Sequence, residues 1–319
     1  MRRVAITAFS ILLAIPVLAS EDVIRKGFHV SEGGTLRLDA DTGSIKIVSG
    51  GTGVAIEVVR KARGRSGEER MKEHKVSFEQ QGNDVVIKGD GEEHHFGIFD
   101  WGDYDVQWNI RVPARYNLDV HTSGGSIDLA NIGGTVDAHT SGGSIKTGKL
   151  AGRAALKTSG GSITVGGAAA ELEVDTSGGS IDIGDAAARV DAKTSGGSIS
   201  LAHVGGDVHA HTSGGGIRIE DAGGTVDAST SGGSINAKLS RQLTGDSRLE
   251  TSGGGVTVSV ASNVRLDLDA AASGGGVSSD LPITVRGKQE DDSLRGQING
   301  GGPKLTLRSS GGGIRVRPL

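Results

Sequence analysis

The sequence predicts an all-β fold: a parallel β-solenoid of the β-helix or β-roll kind, with 18-residue coils of two short strands each, preceded by an irregular β N-terminal cap region. Three observations predict it. The hexapeptide Thr122-Ser123-Gly124-Gly125-Ser126-Ile127 recurs from Thr140, Thr158, Thr176, Thr194, Thr212 and Thr230, each 18 residues on, with Gly216 replacing the serine once. The residues after each turn alternate between apolar and polar, which is the period of a strand with one buried face. No proline occurs between Pro113 and Pro282, as expected where every backbone N–H is needed for pairing.

The chain opens with the basic head Met1-Arg2-Arg3 and the apolar run Val4 to Leu18. That run is too short to anchor stably across a bilayer and reads as a cleaved secretory signal over residues 1–19. Val17 and Ala19 sit at the minus-three and minus-one positions of a cut before Ser20. No cysteine follows, so no lipoprotein anchor is expected, and no later segment is apolar enough to span a membrane. The expected destination is outside the cytoplasm: the periplasm, the cell surface or the medium. Cleavage takes 34 basic side chains to 32 against 38 acidic ones, and the formal charge from -4 to -6. That balance disfavours nucleic acid as a partner. The absence of cysteine removes disulfides and thiolate metal sites, so stability must come from repetitive packing.

Residues 20–116 form the expected N-terminal β-region or cap. Thr35 to Leu38, Ser44 to Ile47, Val54 to Val58, Asp84 to Ile87 and Val106 to Ile110 alternate like strands without the 18-residue period, and the charged stretch Lys61 to His74 reads as a surface loop or short helix. Solenoid ends expose unpaired edges and need such covers.

Residues 117–277 are the expected regular solenoid. Each 18-mer splits into two similar nonapeptides, a Gly-Gly turn followed by a short strand, as in TSGGSIDLA and NIGGTVDAH. Coils stacked about 4.8 Å apart would pair like with like. Ile127, Ile145, Ile163, Ile181, Ile199, Ile217 and Ile235 then make one inward ladder. Leu118, Val136, Ala154, Leu172, Val190, Val208 and Val226 make a second, beside a smaller one running from Val120 to Ala228. The 55 glycines of 319 residues exceed the usual share of about 7% more than twofold; their expected task is positive φ at the corners. Residues 278–319 are the expected irregular coils and cap, where the turn returns loosely at Ser309 to Ile314.

In Trp108-Asn109-Ile110-Arg111-Val112-Pro113, in the Thr-Ser-Gly-Gly turns and in Ile298-Asn299-Gly300-Gly301-Gly302-Pro303 before Lys304-Leu305-Thr306-Leu307, the chain resembles the bacterial putative-adhesin family of unknown function. These stand for the strand ending in Val-Pro before the array, the array and the closing rung. The resemblance covers most of the chain beyond the signal and implies an exported β-solenoid with a surface role. It brings no catalytic residues.

Several constellations bear on chemistry. Calcium-binding nonapeptide rolls need carboxylates at the turn; here Ile127 and Leu129 stand where the third glycine and the ligand belong, so no metal is expected. Asp119, Asp137, Glu173, Asp191 and Asp227 form an outward acidic column beside His121, His139, Lys157 and Lys193, read as charge balancing on a wet face, with a weak metal or cell-surface stripe at His121 and His139 as the sharper reading. The threonines from Thr122 to Thr230 have inward parity, which favours a hydroxyl ladder at the corner over an ice-binding array. Serines sit in repeated turns with no unique Ser-His-acid set, so no catalytic residues and no cofactor are expected. No aromatic residue follows Tyr116, leaving the wall without a sugar-stacking platform. His94, His95, Phe96, Phe99, Asp100, Trp101, Asp103 and Tyr104 cluster in one loop, the best local candidate for ligand contact. The plainer alternative is that its rings plug the open end of the solenoid.

The expected function is a non-enzymatic exported structural or adhesin-like rod that presents a repetitive surface to a cell-envelope or extracellular macromolecule, protein or glycan. The alternatives are a β-helix protein that binds or processes envelope polysaccharide, and a periplasmic partner of an envelope-stress sensor.

Overall fold

The computed structural model describes residues 19–91, 103–285 and 290–319. Among them, strands form one sheet of 14 and one of 15 members, facing each other across a continuous apolar interior. The chain is a parallel β-solenoid. In the coil that starts at Val136, strand Val136–Thr140 lies in the larger sheet and strand Ile145–Leu150 in the smaller. Ser141 to Ser144 and Ala151 to Arg153 make the two corners.

Stacking follows the 18-residue register. Ile145 pairs with Ile127 on one side and Ile163 on the other, and Val136 with Leu118 and Ala154. The seven ladder isoleucines are each 0 or 1% exposed, and burying such a side chain stabilises by about 1.5–3 kcal/mol relative to leaving it in water. The smaller sheet holds a third inward column that simple alternation misses. After Thr147 two residues face outward and Leu150 turns back in, so Leu150, Ala168, Ala186, Val204 and Ala222 stack in register.

The corners correct one expectation. Positive φ occurs at Gly33, Gly43, Gly50, Gly64, Gly82, Gly300 and Gly301, and at none of the glycines of the 18-residue array. Vertical packing is what demands glycine there. A Cβ on Gly143 would lie 2.2 Å from the Gly125 carbonyl oxygen, and one on Gly179 would lie 2.1 Å from that of Gly161. Coils stacked at strand spacing leave no room for a side chain at that level. The first glycine of the pair is less constrained at Gly142, where the nearest atom to a Cβ is 3.7 Å away, and the space tightens along the array to 2.7 Å at Gly232.

Buried threonines fasten each corner to the coil before it. Thr140 Oγ1 donates to the Gly125 carbonyl at 2.7 Å and accepts from the Gly143 N–H at 3.4 Å. The same pair of bonds recurs at Thr158, Thr176, Thr194, Thr212 and Thr230. Beside them the Ser144 N–H donates to Ser126 Oγ at 3.2 Å, and the serine column repeats this upward. Each bond satisfies a backbone group that the turn would otherwise leave unpaired.

The ladders do not stop where the sequence period stops. Strands Thr35–Ala40 and Ser44–Ser49 stack directly under the first repeat, with Leu36 opposite Leu118 and Ile45 opposite Ile127. Strands Asp84–Asp90 and Tyr104–Val112 form the next rung outward, although they come later in the chain. Antiparallel strands Ala19–Phe28, Val54–Arg63 and Lys75–Gln81 then close this end. The charged stretch contains a helix, Gly64–Glu73, against them. Tyr116 is fully buried where the chain crosses back over the 35–49 rung, and its hydroxyl donates to the Asn83 carbonyl.

The other end also breaks chain order. Strands Lys304–Ser309 and Ile314–Pro318 insert between the rung of Ser247–Thr251 and Val256–Val260 and the rung of Leu266–Ala272 and Val277–Ser279. The 304–318 rung was expected to close the stack and is instead internal to it. Asp269 fixes the insertion: its carboxylate pairs with Lys304 at 2.9 Å, Arg308 at 3.1 Å and Arg295 at 3.4 Å, on two neighbouring strands. Short edge strands, Val277–Ser279 and Thr284–Val285, finish this end, which limits edge-to-edge pairing.

Candidate functional site

Of the loop singled out in the sequence, Asp103 and Tyr104 are described, while His94, His95, Phe96, Phe99, Asp100 and Trp101 lie outside the described residues. Tyr104 opens strand Tyr104–Val112 and meets a buried histidine that the sequence did not flag. The His74 ring lies edge-on to Tyr104, with centroids 5.7 Å apart, and to Trp108 at 6.2 Å. It is 4% exposed, and neither ring nitrogen has a hydrogen-bond partner among the described residues. Burial, followed by the charge of Arg60, lowers the His74 pKa from 6.5, with Asp41 and Asp90 pulling the other way. Burial likewise pushes the Tyr104 phenol up to about 12 against the opposing pull of Arg60. The Arg60 guanidinium bridges the Met71 and His74 carbonyls and the Asp22 carboxylate. The buried His74 and Trp108 rings and the half-buried Tyr104 ring thus pack together at this end of the stack.

The acidic column and its neighbour occupy the outer face of the larger sheet in the expected register. His121 and His139 stack on adjacent coils with ring centroids 5.8 Å apart. Along the two columns His121 faces Asp119 at 3.3 Å, Lys193 meets Asp191 at 3.0 Å, and His209 meets Asp227 at 3.5 Å. Among the described residues no group of three His, Asp or Glu side chains is placed to hold a metal ion.

A concavity lies on the outer face of the smaller sheet, at the N-terminal end. Strands Ala19–Phe28, Val54–Arg63, Tyr104–Val112 and Ser44–Ser49 lie side by side there. Register puts small residues in the floor, with Gly27 opposite Ala55, and long cations around it, with Arg111 between Ala55 and Val48. The result is a hollow of about 560 Å³ bordered by Arg25, Lys26, Lys46 and Arg111, with Glu57 as the only acid and Asn109 beside it. Arg25 is tied to Glu57 at 2.7 Å. Lys26 lies 5.9 Å from the centre of the Phe28 ring. Lys46 and Arg111 have no carboxylate partner among the described residues, in a chain whose formal charge is -4. Sequence reasoning missed this cluster because residues 25, 46, 57 and 111 share no motif or period. Only the stacking order unites them.

Four carboxylates elsewhere are held below the usual range, each by partners that tie coils together. Asp207 accepts from the Thr225 backbone N–H and hydroxyl, and Glu220 is held by Lys238. Burial pushes Asp221 and Asp269 upward but is outweighed, for Asp221 by Ser240 and Arg241, and for Asp269 by Lys304 and Arg308.

A family model described as Toastrack DUF4097 matches residues 35–317. Among solved structures, one described as a putative adhesin from Parabacteroides merdae is 12% identical, with 93% of this chain and 96% of that chain covered and a TM-score of 0.40. A putative adhesin from Bacteroides fragilis is 10% identical, with coverages of 94% and 98% and a TM-score of 0.30. A putative cell adhesion protein from Clostridium sporogenes is 10% identical, with coverages of 94% and 100% and a TM-score of 0.25. No curated protein matches the chain.

Proposed function

The chain belongs to the Toastrack DUF4097 family, and on that premise we propose that it is an exported, non-catalytic rod whose outer faces bind a macromolecule of the cell envelope or its surroundings. The observation that carries this reading is the division of labour between inside and outside. Aliphatic side chains fill the interior from Leu36 to Val316, so the repeated outward columns are what the molecule offers to a partner. A repeat protein of this kind works as a scaffold of fixed spacing.

Asp207, Glu220, Asp221 and Asp269 are held below the usual carboxylate range by partners on neighbouring coils, so these four acids serve the stack. Among the described residues no helix is long and apolar enough to cross a membrane.

The test is a glycan array and an envelope-extract pull-down with residues 20–319, followed by turnover assays on every bound glycan. Binding without turnover is the expected result. Cleavage of any bound polymer would overturn the reading. A pull-down with residues 92–104 deleted measures whether the expected contact loop takes part.

A further inference from the structure

We propose that the hollow bordered by Arg25, Lys46 and Arg111 is a binding site for an acidic polysaccharide, one bearing carboxylate, sulfate or phosphate groups along a hydroxyl-rich chain. The inference rests on the proposed binding role and names the partner's chemistry and the place where it docks.

Charge, shape and surroundings agree. Lys46 and Arg111 make no ion pair among the described residues, with Asp128 opposite Lys46 on the adjoining strand, while the acid that lines the hollow, Glu57, is already bonded to Arg25. Elsewhere several outward cations are paired within their columns, as in Lys193 with Asp191 at 3.0 Å or Arg248 with Glu250 at 2.6 Å. An excess of positive charge concentrated in a concave patch of an acidic chain attracts polyanions. The floor is open and shallow, and it spans four strands set about 4.8 Å apart, which suits an extended polymer better than a compact small molecule. The Asn109 side-chain amide makes no hydrogen bond among the described residues and faces the same hollow, so hydroxyl groups would find a donor and an acceptor there.

A lipid surface fits poorly, because membrane docking by a shallow face needs apolar anchors. The large hydrophobic residues exposed among the described ones are Val285 and Leu319, which belong to the opposite end of the stack.

The probes are polygalacturonate, neutral dextran and polyglutamate, titrated into residues 20–319 at increasing salt. Polygalacturonate should bind, weaken with salt and outcompete both other polymers. The double variant Lys46→Gln/Arg111→Gln should weaken it about tenfold or more, equivalent to about 1.4 kcal/mol. Lys149→Gln/Lys157→Gln removes the same charge from exposed positions outside the hollow and should leave binding within about twofold. Dextran binding as tightly, polyglutamate competing as well, no binding of polygalacturonate, or equal loss in both double variants would each overturn the proposal. An envelope protein captured while no acidic glycan binds would defeat this site and leave the broader binding role standing. Failure of every binding arm would defeat both.

Discussion

The middle of the molecule and its two ends are built from the same rung but ordered differently. Between Asn117 and Thr230 each coil stacks on its neighbours in the chain, so spatial order equals sequence order. At the N-terminal end the 84–112 rung lies outside the earlier 35–49 rung, and at the C-terminal end the 304–318 rung lies inside the earlier 266–279 rung. The fastening chemistry follows space and ignores chain order. Ser309 Oγ donates to Gly254 at 2.8 Å and accepts from the Gly312 N–H at 3.1 Å, as Thr140 does with Gly125 and Gly143. At the rungs beyond, Ala272 and Ala40 replace the hydroxyl. A solenoid of this kind specifies contacts between levels, and the loops decide which segment fills each level.

The largest effect should come from removing residues 304–319. If the inserted rung is essential, the 266–298 segment loses its partner, and hydrogen exchange at Leu266 to Ser279 should become fast while the 136–230 coils stay protected. Retained protection at Leu268 and Ala270 would break the comparison. Next comes Gly179→Ala, which places a Cβ against the Gly161 carbonyl and should destabilise by about 2–3 kcal/mol in urea unfolding. Gly142→Ala, where a Cβ meets its nearest atom at 3.7 Å, should stay within about 0.5 kcal/mol. Equal midpoints for the two variants would show that the stacking distance yields easily.

Smaller again is the loss of one hydroxyl. Thr194→Val strips a partner from the Gly179 carbonyl and the Gly197 N–H and should cost about 1–2 kcal/mol, with Thr194→Ser retaining most of the stability. Ser309→Ala should match Thr194→Val if middle and end obey one rule. The smallest effect concerns the N-terminal plug and acid. The unfolded chain protonates His74 near 6.5, whereas the folded chain resists until lower pH, because burial and Arg60 lower its pKa. The contribution of the neutral ring is therefore complete above about pH 6.5 and is lost as pH falls through the lowered folded value. His74→Phe should flatten that acid slope in urea midpoints taken between pH 7.5 and 5; an unchanged slope would remove His74 from the account.

How much of this was legible follows from the same contrast. In the middle, a strict period reveals register, because like residues must face like across every step, and the isoleucine and threonine columns could be read directly. The column of Leu150 and Ala168 was hidden by a two-residue outward break that simple alternation does not model. The reason for glycine is not legible there, since a turn and a close approach leave the same residue in the sequence. At the ends, Leu36-Arg37-Leu38 and Ile45-Lys46-Ile47 look alike wherever they stack, so nothing local states which rung they adjoin. His74 and the cationic hollow arise only once those rungs are placed. Most of the expected contact loop, His94 to Trp101, lies outside the described residues.

The inserted 304–318 rung alters how the rod would carry tension. In a stack built in simple succession, a tug on the outermost level peels one ladder at a time. Here a pull applied at Leu319 enters a level gripped from both sides, by Val256–Val260 and by Val277–Ser279. That level cannot slip out without straining both ladders together and the salt bridges to Asp269 with them. Such a joint resists unravelling under load better than an end that merely rests on its neighbour.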